Sequence, residues 1–251
     1  MRLGLIGAGN MASALARGLG EPVLVSDVQH ERAEALAAEV GGRALTSNAE
    51  LARAADVVVL CHKPPQLREV AAEVAAEARA VVTILAATTT RAVEDAYPGI
   101  PVYRFIPSIP AEVRRGVLCY APGSLAADGP ERELLALFGR VGVVVPLDEP
   151  LIEPAMALMS SGPAFMALVA EAFAAAGAAH GLEPRDAIRL TVETMAGTAT
   201  WLAANGYDAA ALRARVATPG GVTQRGLLAL EGADLAGACR RAVDTVVDAT
   251  R

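Results

Sequence analysis

The sequence predicts an α/β fold in two parts: a doubly wound, mainly parallel sheet over residues 1–149 and an all-helical segment over 150–251. Three observations predict it. Short apolar runs alternate with helical patterns through the first half, as repeated β-α-β units require. A glycine-bearing loop, Gly7-Ala8-Gly9-Asn10-Met11-Ala12, stands between the first apolar run and the first helical pattern. Beyond the proline-flanked stretch 146–150 no strand pattern interrupts the helices.

The elements follow in order. Leu3-Gly4-Leu5-Ile6 reads as a buried strand, and the alanine-rich run 12–19 as the helix after it. A second strand over 23–25 precedes a helix over 31–40, and 50–55 leads into the strand 57–60. Next come a helix over 66–78, a strand over 80–85, a helix over 91–96 and a strand over 102–105. Strands near 117–120 and 141–145 flank a helix over 130–138. The second half reads as helices over 152–159, 164–180, 184–205, 209–217, 223–230 and 235–250, with Pro163, Pro184 and Pro219 at or just before helix starts.

Composition narrows the function. A hydrophobic fraction of 53% with only 4% aromatic means a core of Ala, Val and Leu, suited to close helix packing on buried parallel strands. A formal charge of −6 without a basic run argues against nucleic acid as a partner. The opening strand begins at residue 3, leaving no room for a signal peptide, and the runs 81–87 and 141–145 are far too short to span a bilayer. Cys61, Cys119 and Cys239 are odd in number and scattered, which fits a reducing cytoplasm rather than a disulfide framework. Cys61-His62 has no second ligand pair nearby, so no metal is expected and Cys61 reads as a core thiol.

The first loop has the chemistry of a dinucleotide site. Gly7 permits the tight turn, Gly9 lets backbone amides approach a pyrophosphate at the helix start, and Ala12 stands where a third glycine packs helix on strand. Asp27 ends the second strand about 20 residues on, where a carboxylate grips ribose hydroxyls. That carboxylate also repels a 2′-phosphate, so NADH is expected to serve at least as well as NADPH; Arg32 in the next helix is the one group placed to rescue the phosphate. A second loop, Thr218-Pro219-Gly220-Gly221-Val222-Thr223, offers amide N–H groups at the mouth of a helix to a small carboxylate, and Thr223 offers a hydroxyl able to donate or accept. The plainer reading makes Pro-Gly-Gly a turn and Thr223 a helix cap.

The chain resembles the pyrroline-5-carboxylate reductases, which reduce a cyclic imine to proline with a nicotinamide cofactor. The resemblance rests on Ile6 to Met11, Lys63-Pro64, 104–116, Ser161-Gly162-Pro163-Ala164 and, most specifically, 216–231. It implies that Gly7, Gly9, Asn10, Met11, Asp27, Lys63, Pro64 and Ser108 bind the cofactor, and that Thr218, Gly220, Gly221 and Thr223 bind the imino acid. Thr223 and Ser161 then become the polar groups at the reaction. Ser161 also reads as a simple N-cap, and Lys63 as a solvated surface lysine. His62, Glu153, Glu171 and His180 are not needed as general acids, because hydride transfer to a protonated imine asks mainly for orientation. The apolar helices over 164–180 and 184–205 call for a homodimer, and the resemblance implies interleaved helices, active sites drawn from both subunits and larger rings of dimers.

Three departures cluster on the expected nicotinamide side. Where family members carry Met-Pro-Asn-Thr-Pro this chain has Ile106-Pro107-Ser108-Ile109-Pro110; Ala-Ala-Gly becomes Ala86-Ala87-Thr88; Ser-Gly-Ser-Gly-Pro becomes Met159-Ser160-Ser161-Gly162-Pro163. Three functions therefore stay open: reduction of pyrroline-5-carboxylate, reduction of a different cyclic imino acid, and a reductase-like regulatory protein without turnover.

Overall fold

The computed structural model describes residues 1–249. Eight strands form one sheet in the order β3-β2-β1-β4-β5-β6-β7-β8: β1 (Leu3–Ile6), β2 (Leu24–Ser26), β3 (Arg43–Ala44), β4 (Val57–Leu60), β5 (Val81–Thr83), β6 (Val102–Pro107), β7 (Gly116–Pro122) and β8 (Gly142–Pro146). Every pairing is parallel except β6 with β7. The order reverses beside β1, where a doubly wound sheet opens its ligand crevice at the strand C-termini.

The crossover helices are α1 (Asn10–Leu19), α2 (His30–Val40), α3 (Asn48–Ala54), α4 (Leu67–Val74) and α5 (Thr90–Ala96), with α6 (Glu131–Phe138) between β7 and β8 and α7 (Ile152–Met159) after β8. Alternate residues of each strand feed opposite cores. Leu5, Val57, Val59, Tyr103 and Phe105 pack on one face; Ile6, Val58, Leu60 and Val102 pack on the other. The few aromatics are concentrated: the Phe105 ring lies 4.6 Å from Tyr120 and 4.5 Å from Phe138, centroid to centroid. A third cluster joins Ile106, Cys119 and Ala121 of the sheet to Ile152, Met156 and Met159 of α7.

The structure differs from the sequence reading at a few boundaries. The two-residue β3 went unseen because Arg43-Ala44 carries no apolar alternation; it exists because Arg43 N–H and Leu45 N–H donate to Val23 and Val25 carbonyls. Helix α4 ends four residues early, where Glu77 and Ala78 N–H both turn to the Val74 carbonyl. Strand β5 stops at Thr83, whose hydroxyl accepts from Leu85 N–H and bends the chain.

The chain divides into two compact units, 1–163 together with 246–249, and 164–245. The second unit is helical: most of α8 (Gly162–Ala179), then α9 (Pro184–Ala204), α10 (Ala209–Val216), α11 (Val222–Gly232) and most of α12 (Leu235–Ala249). Its apolar surface is largely uncovered. Of the 21 residues of α9 only Ala187 is buried, while Leu168, Phe173, Leu190 and Leu228 are each more than half exposed. The helical stretch Glu149–Ala179 has a mean hydropathy of 1.4 over an 18-residue window, enough by length and composition to cross a membrane, which the sequence reading of shorter runs did not register. Ser160-Ser161 breaks it between α7 and α8, so it is not one continuous apolar rod.

Candidate active site: a nucleotide cleft and a glycine loop

The cleft of the first unit is built by three strand ends. Gly7 follows β1 with φ of 110°, a conformation glycine tolerates, and a Cβ there would come within 2.8 Å of the Cys61 backbone. Gly9 is different. A Cβ at Gly9 would meet no protein atom within 4 Å apart from its chain neighbours, so no packing contact demands glycine there. Its backbone is extended, it precedes α1 without a capping side chain, and no acidic residue lies in the first turn of α1. A helix start with unpaired N–H groups and no side chain in front of it is an anion cradle.

Asp27 holds this loop in shape. Its Oδ2 accepts from Ala8 N–H at 2.8 Å and its Oδ1 from Gln29 N–H at 2.8 Å, while Gly7 N–H donates to the Ser26 carbonyl. Each carboxylate oxygen keeps a lone pair for a ribose hydroxyl. The same cleft is lined by Val28, Arg32, Asn48, His62, Lys63 and Gln66. Asn48 is a participant that sequence reading missed. Ser26 Oγ donates to its Oδ1 and its Nδ2 donates to Glu73, so it ties the β2 end to α3 and α4. The signal was present in Ser47-Asn48 at a helix start, but an ordinary cap accounts for it equally well.

Lys63 is exposed in the cleft, and Pro64 opens a 3-10 turn in which Gln66 Oε1 accepts from Lys63 N–H. His62 Nδ1–H donates to the Lys63 carbonyl, and burial lowers the imidazole pKa below its ordinary value, so the ring is neutral at neutral pH. Cys61 also lines the cleft, and burial pushes its thiol pKa far up. Asn10 and Met11 form the first turn of α1. Neither is among the residues lining the cleft.

Ser108 lies at the end of β6 and is 2% exposed, and its Oγ accepts from Val117 N–H at 2.9 Å. The hydroxyl therefore pins β6 to β7. Ala87, in the altered loop after β5, takes a left-handed φ of 52°, a conformation favouring glycine, and Thr88 Oγ1 donates to the Ala86 carbonyl. Ser161 is half-buried before α8, its N–H donating to the Met156 carbonyl and its hydroxyl unpartnered.

In the second unit Gly220 has φ of 74°, and a Cβ at Gly221 would come within 2.6 Å of Thr218 Oγ1. Both amides that the sequence offers to a carboxylate have partners within the chain: Gly220 N–H donates to Gln224 Oε1 at 2.6 Å, and Gly221 N–H to the Thr218 carbonyl. Gly221 is the N-cap of α11 and no side chain caps it. Thr223 is thus not the cap. It is half-buried and its hydroxyl has no partner, whereas Thr191, Thr194, Thr200 and Thr245 each donate to the carbonyl four residues back. His180 and Glu171 are exposed, and Glu153 is ion-paired to Arg104. The structure brings Gly7, Gly9, Asp27 and Lys63 to one cleft and Thr218 to Thr223 to one loop, the two sets in different units.

Two family models match the chain: "NADP oxidoreductase coenzyme F420-dependent" over residues 2–87, and "Pyrroline-5-carboxylate reductase dimerisation" over 149–251. The chain is 33% identical to the pyrroline-5-carboxylate reductase of Methanosarcina acetivorans, over 96% of its own length and 94% of the relative's. A solved pyrroline-5-carboxylate reductase from Coxiella burnetii superposes with a TM-score of 0.87 at 28% identity, covering 99% of this chain and 96% of that one. The Plasmodium falciparum enzyme, crystallised with NADP bound, shares the fold with a TM-score of 0.88 at 22% identity, covering 100% and 97%.

Proposed function

Because the chain belongs to the pyrroline-5-carboxylate reductase family, we propose that it reduces 1-pyrroline-5-carboxylate to L-proline with a nicotinamide dinucleotide. The observation that carries the reading is the cradle at Gly9, where an uncapped helix start stands behind a residue whose missing side chain serves no neighbour in the fold. The dinucleotide supplies a hydride; the protein supplies orientation and charge. Gly7, Gly9, Asn10 and Met11 present the loop and first-turn amides to the pyrophosphate, Asp27 takes ribose hydroxyls, and Lys63 and Pro64 border the cofactor, with Ser108 and Ser161 on the nicotinamide side.

The loop 218–223 holds the imino acid. Its carboxylate displaces the Gln224 amide oxygen from the Gly220 N–H and gains the first-turn amides of α11, beside Thr218 and Gly221, and the unpartnered Thr223 hydroxyl meets the ring nitrogen. The imine carbon gains the hydride with its two electrons, the C=N π pair is drawn onto nitrogen, and the proton already carried by the iminium becomes the N–H of proline. Residues 150–251 form the dimerisation and substrate-binding part, and a second copy of the chain covers the exposed faces of α8, α9 and α11. The family's ring of dimers and a cytoplasmic setting complete the reading, the latter supported by three free cysteines.

A second reading, a ring other than the five-membered one, is favoured by Ser108, whose hydroxyl serves the backbone and so does not replace the amide of Asn. Purified protein assayed with NADH and NADPH against five- and six-membered cyclic imino acids tests both. The expected result is greatest kcat/KM for 1-pyrroline-5-carboxylate, with NADH at least equal to NADPH. Preference for a six-membered ring moves the assignment there, no turnover on any imine refutes the enzyme, and a tenfold preference for NADPH refutes the role given to Asp27.

A further inference from the structure

Arg104 is the largest fully buried side chain among the described residues, at 0% exposure, and no residue role assigned so far uses it. It lies on β6, on the face opposite Tyr103 and Phe105, with Thr83 of β5 and Ala121 of β7 as its strand neighbours. Its Nη1–H donates to Glu149 Oε1 at 2.5 Å and its Nη2–H to Glu153 Oε1 at 2.8 Å. Glu149 reaches further: Thr90 N–H donates to its Oε1 and the Thr90 hydroxyl to its Oε2. One guanidinium thus gathers the middle of the sheet, the start of α5 and the entry to α7.

The arrangement is an expensive way to hold helix on sheet. Burying a guanidinium costs more than packing an apolar chain of equal volume, and Arg104 Nε is left without a partner. The apolar contacts of Ile152, Met156 and Met159 with Ile106, Cys119 and Ala121 already attach α7. What the ion cluster adds is direction, since a planar fork donates to its two carboxylates in a fixed geometry that apolar packing does not specify. One segment it fixes carries the Ala86-Ala87-Thr88 departure and the other leads to Ser161. Thr90 closes the strained loop 86–89 at the C-terminal edge of β5, and α7 runs directly into Ser160-Ser161.

We propose that Arg104 is a positioning residue for hydride transfer, holding the 86–89 loop and the Ser161 turn in register with the end of β6 through Glu149, Thr90 and Glu153. The inference rests on the reductase reading for its kinetic part alone.

The test is Arg104→Lys, which keeps the charge and removes the fork, in the full-length protein. Three readouts are taken: kcat and KM for the best imine, NADH dissociation by fluorescence, and hydrogen exchange by mass spectrometry. Expected are a fall in kcat of at least tenfold, KM and NADH affinity within about threefold, and at least tenfold faster exchange in peptides covering 86–90 and 156–163, with β1 and β4 unchanged. Unchanged kcat with unchanged exchange overturns the proposal, as does exchange raised equally across β1 and β4, which marks a purely structural ion pair. If the lysine variant does not fold, Glu153→Ala is judged by the same criteria. The exchange measurement needs no substrate, so a wild-type protein inactive on every imine refutes the reductase reading while the exchange comparison still decides whether Arg104 holds the 86–89 loop and the Ser161 turn.

Discussion

Thr223 is the residue at which sequence and structure say most together. A threonine two residues after Pro-Gly-Gly reads from sequence as a cap or a ligand contact; the structure gives the cap to Gly221 and leaves the Thr223 hydroxyl unpartnered. Losing a hydrogen bond to a charged or developing-charge group costs about 1.5–3 kcal/mol, roughly tenfold or more in rate. Thr223→Ala is therefore expected to lower kcat/KM at least tenfold with cofactor affinity nearly unchanged, as steady-state kinetics and NADH titration will read. Full activity in that variant returns Thr223 to an ordinary helix position. His62 is the opposite case. Its ring is committed to the Lys63 carbonyl and its pKa is lowered by burial, so it lines the cleft as a neutral group. No sequence signal separates such a histidine from an acid catalyst, because burial is a property of the fold.

Among the elements, α1 carries the clearest division between what the chain needs and what a ligand needs. Its C-terminus closes by the ordinary device of a glycine at φ of 64°, with Gly20 N–H donating to the Ala16 carbonyl. Its N-terminus has no capping side chain, and the position before it has open space where a side chain would stand. Gly9→Val is thus expected to fold with a melting temperature close to wild type and to lose dinucleotide binding, measured by thermal shift with and without NADH. A variant that still gains stability from NADH contradicts the cradle. Gly7 differs in kind: its positive φ and its contact with the Cys61 backbone make any substitution there a folding defect first.

For the whole molecule the exposed apolar surface of 164–245 is the dominant fact. Helices with Leu168, Phe173, Leu190 and Leu228 more than half exposed do not remain so in water. A second copy is the expected cover, since an isologous contact buries the same patch twice and the matching family model for 149–251 is a dimerisation model. Sedimentation at micromolar concentration is expected to give a dimer or a multiple of it. A monodisperse monomer refutes this, and protein that stays monomeric until lipid or detergent is added assigns the apolar stretch Glu149–Ala179 to a membrane surface instead.

The alternation of strands and helices, the place of the glycine loop after β1, and Asp27 at the end of β2 are legible along the chain, because each is a local pattern of one or two elements. The sequence also carried the family, through the run 216–231. Which polar groups are already spent becomes visible in the folded chain and not before. Ser108 is taken by Val117, Gly220 by Gln224, Gly221 by Thr218 and Glu153 by Arg104, partners from 3 to 49 residues apart. The physical reason is that hydrogen-bond satisfaction and burial are set by which elements meet, and a residue type at a spacing fixes what a group can donate or accept without fixing what it will find.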